Sequence, residues 1–130
     1  TVRRVESMEY PIGIVLLENL LAAQRKQTDV DIIYPQDVLI SIPSPIAVFN
    51  STKNIDAAKR FCDFAFSEAG QNAIIAGFMY SPLPEFAPPA GARPWDEIEA
   101  SSFEWNEQII ADVAANREKI KRKFTEIMQK

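Results

Sequence analysis

Histidine is missing from the 130 residues, and Cys62 is the single thiol. No imidazole is available as a base or ligand, and one thiol cannot complete a zinc set. A disulfide within the chain is excluded too. Eighteen carboxylates remain, but none sits in a motif that would set a pKa for acid–base work. Ser67 has no histidine to activate it, and no Ser-x-x-Lys spacing places an amine beside a serine. The four glycines stand alone at 13, 70, 77 and 91, so no loop cradles a phosphate. The chain is therefore read as a non-enzyme, with neither a metal nor an organic cofactor expected.

One junction offers binding chemistry instead. Tyr10 to Leu17 reads as a strand, and a short helix is expected from Glu18 to about Lys26. In open α/β sheets, such a strand end and helix start face the ligand crevice, where free amide donors suit an anion. Leu16, Glu18 and Asn19 would look into that crevice. Glu18 would oppose an anion unless it caps the helix or contacts a ligand amine or metal. The same residues read equally well as an ordinary strand-to-helix corner.

The elements that must position this junction follow from periodicity. Val30, Ile32 and Tyr34 alternate as a second strand, and Val38, Ile40 and Ile42 resume the alternation after Pro35-Gln36-Asp37. Pro43 and Pro45 then remove two amide donors before the apolar run Ile46 to Phe49. That stretch is either an edge strand or a segment crossing between two structural units. Asn54 can cap a helix to about Phe66, with Ile55, Ala58, Phe61, Cys62 and Ala65 as its apolar stripe. On that stripe Cys62 reads as a small buried hydrophobe. Ser67 can cap the next helix, and Gly77 is placed as its left-handed terminator. A Pro-rich connection spans Tyr80 to Gly91, and a last helix is expected from about Phe103 to Met128. Its stripe would be Ile109, Val113, Ile120, Phe124 and Ile127. Trp95 and Trp105 read as packing anchors.

Charge narrows the partners. Fourteen Lys and Arg against eighteen Asp and Glu give a net charge of −4, a poor basis for displacing counterions from nucleic acid. Residues 85 to 112 hold seven acids against Arg93 alone. Arg117 to Lys130 holds six bases against Glu118 and Glu126, and is read as a solvated helix end. No apolar run approaches the roughly 20 residues that span a bilayer. A length of 130 residues suits one domain, yet the start at Thr1-Val2-Arg3-Arg4 leads to the expectation of a processed chain or a piece of a longer one.

Several stretches carry a resemblance. Tyr10-Pro-Ile-Gly-Ile, Asp31-Ile-Ile-Tyr-Pro-Gln-Asp37, Ile42-Pro-Ser-Pro-Ile-Ala-Val48, Asn54-Ile-Asp-Ala-Ala-Lys-Arg-Phe61 and Ser67-Glu-Ala-Gly-Gln71 occur in that order. Together with Tyr80-Ser-Pro-Leu-Pro they resemble the C-terminal part of bacterial extracellular solute-binding proteins of ABC importers, in the branch handling ferric iron, phosphonates and thiamine. The resemblance implies an α/β fold, part of a two-lobed type II periplasmic-binding architecture: a few strands followed by a helix-rich C-terminal half. It divides the chain into the end of the second lobe (1–34), hinge-crossing strands (35–49) and a helical part of the first lobe (50–130). Ligand contacts would come from Glu18 and Asn19, with Tyr34 and Asp37 near the hinge. Iron-binding members place two adjacent tyrosines where this chain has Leu16-Leu-Glu-Asn-Leu-Leu21, so a small organic anion is the better expectation, with a metal ion as the alternative cargo. The implied partners are a solute and a membrane permease, the implied location periplasmic or extracellular. A homodimer through strands left unmatched is a further expectation. The competing reading is an effector-sensing or interaction domain of the same fold in a regulator.

Overall fold

A computed structural model describes residues 1–129. Seven helices follow one another: α1 (Val2–Glu6), α2 (Leu17–Arg25), α3 (Ile55–Ala65), α4 (Glu68–Ala76), α5 (Trp95–Ala100), α6 (Glu107–Ala115) and α7 (Arg117–Met128). Between α2 and α3, residues 26–54 form no helix or ladder, only turns, bends and one bridged residue at Leu39. Among the described residues, the only β-pairing is one isolated parallel bridge between Leu39 and Ser102. There Leu39 N–H donates to the Ser101 carbonyl at 2.8 Å, and Phe103 N–H donates to the Leu39 carbonyl at 2.7 Å. The segments expected as strands are thus extended but unladdered. A strand needs a neighbour for its amides, and none lies beside Ile12–Leu16 or Ile46–Phe49.

Burial tells the same story. The apolar core is small: Leu21 and Ala23 on α2, Val30 after it, and Ile98 on α5. Ile14 is 90% exposed and Phe61 is 62% exposed, although both belong to well-formed apolar patterns. The α3 stripe is therefore only partly covered: Ile55 and Phe61 are exposed, Ala58 and Ala65 half-buried, and Cys62, expected as buried, is half-buried as well. Among the described residues no helix is long and apolar enough to cross a membrane.

What does hold together is centred on α4. The Ser67 hydroxyl accepts from Gly70 N–H at 3.2 Å, so the expected cap is in place. Gly70 is needed by sterics: a Cβ there would collide with the carbonyl oxygen of Phe64 at the end of α3. Gln71, only 1% exposed, joins three segments. Its Nε2 donates to the Ala65 carbonyl and its Oε1 accepts from the Ser81 hydroxyl, each at 2.6 Å. Ser81 Oγ also accepts from Leu83 N–H at 3.0 Å. Every polar atom of the buried amide side chain is engaged by α3 or by the Pro-rich turn, which is why burying it is tolerable.

Two helix boundaries differ from the expectations above. Gly77 is not left-handed (φ −82); Phe78 takes that conformation at φ 64. Phe78 N–H donates to the Ile75 carbonyl and Met79 N–H to the Ile74 carbonyl, which is the two-bond Schellman closure shifted one residue along. The last helix is not continuous from Phe103 either. Residues 101–103 are drawn out by the bridge to Leu39, and the Asn106 side chain accepts from Ile109 N–H at 2.9 Å to start α6 afresh. A second break at Asn116 separates α6 from α7.

Candidate functional site

Three aromatic residues and one arginine, remote in sequence, meet where the Pro-rich segment returns towards α2. Gly91 makes that return possible: its φ of +86 is one L-residues rarely adopt, and a Cβ there would lie 3.2 Å from Leu21 Cδ2. Gln24 Nε2 donates to the Val30 carbonyl at 3.1 Å, tying α2 to the chain that leads to Tyr34.

Arg93 is the centre of this cluster. Its carbonyl accepts from the Tyr80 hydroxyl at 2.7 Å, and its guanidinium lies over the Tyr34 ring, 4.4 Å from the centroid. Trp95 packs obliquely on Tyr80 with centroids 5.4 Å apart. The Tyr34 hydroxyl is buried without a hydrogen-bond partner, an uncommon state for a phenol. Burial first, then the nearby Tyr34 phenol and the Glu97 carboxylate, push Tyr80 up to about 12. Its neutral form, the donor to Arg93, is thereby favoured. No carboxylate pairs with Arg93 among the described residues. An exposed guanidinium over a phenol ring, with no carboxylate partner, has N–H groups free for a carboxylate or phosphoryl oxygen.

The residues singled out from sequence are placed as follows. Tyr34 belongs to the cluster. Glu18 is half-buried in the first turn of α2, next to exposed Asn19. Asp37 is exposed, and its Oδ1 accepts from Val38 N–H at 2.9 Å, a local turn contact. No hydrogen bond or ion pair joins Glu18 or Asn19 to Tyr34 or Asp37 among the described residues. Leu16 is the N-cap of α2, and its backbone is extended as a strand end requires. Two open depressions occur, one at Phe66, Glu68, Leu83, Glu85 and Phe86, the other at Ser41, Trp95, Glu99, Ser102, Phe103 and Glu104. Both carry carboxylates; the second borders the cluster through Trp95, and neither is lined by Glu18, Asn19, Tyr34 or Asp37. Arg93 was the residue sequence reading passed over as a contact; its signal was being the lone base in an acidic stretch of seven carboxylates.

A family model described as bacterial extracellular solute-binding protein matches residues 1–79. The chain belongs to that family. The matched part of this solute-binding protein runs from α1 through the Schellman closure of α4, and it contains Glu18, Asn19, Tyr34 and Asp37. Arg93, Trp95 and α5 to α7 lie beyond it. Searches of curated proteins and of solved structures found no match. Within the matched part, the Ser67-Glu-Ala-Gly-Gln71 stretch now has a physical account: cap, close approach and buried amide bridge in consecutive positions.

Proposed function

We propose that this chain is the C-terminal portion of the solute-binding component of an ABC importer. It works as a binding protein rather than an enzyme, in the periplasm or outside the cell, and hands its solute to a membrane permease. Residues 1–34 would end the second lobe, 35–49 would recross the hinge and 50–130 would build on the first lobe. Solute contacts from both lobes would stabilise the closed form that the importer recognises.

The observation that carries this reading is the conjunction of the family match over 1–79 with extended, apolar, unladdered segments inside it. Ile12–Leu16, Val38–Ile42 and Ile46–Phe49 are short apolar runs of strand composition, separated at Pro43 and Pro45, and strands of that kind are stable only beside others. A sheet supplied by further polypeptide would satisfy their amides and cover the α3 stripe together.

The solute class is a small organic anion: a phosphonate, phosphate ester or carboxylate. Arg93 supplies an unpaired guanidinium at Tyr34, and Leu16-Leu-Glu-Asn-Leu-Leu21 supplies no phenolate for ferric iron. Glu18, Asn19 and Asp37 complete the proposed contacts from the matched region. Titration calorimetry with phosphonates, sugar phosphates and ferric citrate tests this reading. The isolated chain should bind weakly or not at all, and the full gene product should bind an organic anion one-to-one. Tight one-to-one binding by the isolated chain, or ferric citrate as the preferred solute of the full product, would contradict it.

A further inference from the structure

The basic C-terminal helix has a feature that solute binding does not use. Among helices, α7 packs against α6 alone, and every described residue in it is exposed. At 3.6 residues per turn, Ile120, Phe124, Ile127 and Met128 share an arc of about 100°. Phe124 and Ile127 are each 60% exposed. Lys121 borders this arc on one side and Lys123 on the other, Arg117 falls within it at the first residue of the helix, and Glu118 and Glu126 fall on the far side. The helix carries five bases, Arg117, Lys119, Lys121, Arg122 and Lys123, against those two acids, in a chain that is otherwise acidic.

We propose that α7 docks on an anionic phospholipid surface, lying in its plane with Phe124 and Ile127 in the acyl boundary. Charge complementarity selects this occupant. Bases on both shoulders of an apolar arc can extend towards lipid phosphates while their stems cover the apolar edge. The acids sit where they would face water. The two ion pairs on the helix, Lys121 with Glu118 at 3.1 Å and Lys123 with Glu126 at 3.9 Å, are exposed and weak, so both lysines are free to exchange partners. A helix of twelve residues is too short to span, so the mode is surface attachment.

Vesicle co-sedimentation of the whole chain tests this, with phosphatidylcholine vesicles containing about a third phosphatidylglycerol and with phosphatidylcholine alone. Binding is expected to the anionic vesicles only and to fall steeply with added salt. Each basic residue contributes roughly five-fold to partitioning, so K121E/K123E should lower it more than about ten-fold, and F124S/I127S should also abolish it. The same charge change on α3, K59E/R60E, should leave it within about two-fold. Equal binding to both vesicle types, no binding to either, or an equal loss with K59E/R60E would overturn the proposal. So would a salt-sensitive dimer in light scattering that K121E/K123E dissolves without lipid, because a second copy would then be the occupant. The salt dependence of the unaltered chain decides the matter even if a variant misfolds.

Discussion

The α4 region and the α3 stripe are neighbours in sequence and opposites in energetics. α4 is fastened by polar atoms: Ser67 at its start, Gln71 buried within it, Ser81 and Tyr80 just beyond. α3 has the more strongly amphipathic sequence, yet none of its residues is buried. An apolar stripe lowers free energy only when something removes it from water, whereas a hydrogen-bonded corner closes with partners a few residues away. Local polar chemistry is complete in this chain; long-range apolar burial is not.

The largest expected effect breaks the fastened side. Gly70→Ala forces a Cβ against the Phe64 carbonyl, and overpacking of backbone should cost about 3 kcal/mol in urea unfolding. Gln71→Ala leaves the Ser81 hydroxyl and the Ala65 carbonyl short of a partner, at about 2 kcal/mol; a loss below about 0.5 kcal/mol would show that water replaces the amide. Tyr80→Phe removes the donor to Arg93 and should cost about 1 kcal/mol. It also changes the alkaline limb. Tyr80 is raised from 10.0 to about 12 on folding, so its share of stability is complete below pH 10 and fades as pH rises towards 12. The variant should lose that fading, as followed by phenolate absorbance alongside unfolding.

Smaller effects sharpen the other side. Gln27 closes α2 at φ 60, so Gln27→Gly should stabilise by about 0.5 kcal/mol through relief of the left-handed strain. Phe61→Ser on α3 should change the stability of the isolated chain by less than about 0.5 kcal/mol. In the full gene product the same change should cost several times more, if a sheet covers that face as proposed. Equal small effects in both contexts would leave the α3 stripe a solvated surface and remove the reason for invoking a covering sheet.

Much of the local structure was legible. Ser67 and the apolar spacing located α3 and α4 to within a residue or so, because caps and periodicity act over one or two turns; Asn54 stands at the N-cap of α3 but its side chain makes no cap hydrogen bond. Gly77 misled because a glycine is the usual left-handed residue, but here the hydrogen bonds of Ile74 and Ile75 fall one position later, on Phe78. The long final helix was read through Phe103–Asn106, where the competing partner, Leu39, is some sixty residues away in sequence. Asn106 was a readable cap that spacing alone did not weigh. In the candidate site, Tyr34 was singled out by the sequence, and it joins the cluster under Arg93. Arg93 was not, since nothing local says that a proline-rich segment folds back over a phenol.

Composition and pattern by themselves determined that no imidazole and a single thiol are present, where α2, α3 and α4 start, and which faces are apolar, because each depends on residue type and a few neighbours. Whether those faces are covered, that Gln71 is the buried bridge, and that Arg93 lies on Tyr34 were decided only in three dimensions. Burial and remote contact depend on which segments arrive together, and that is a property of the whole fold rather than of any stretch within it.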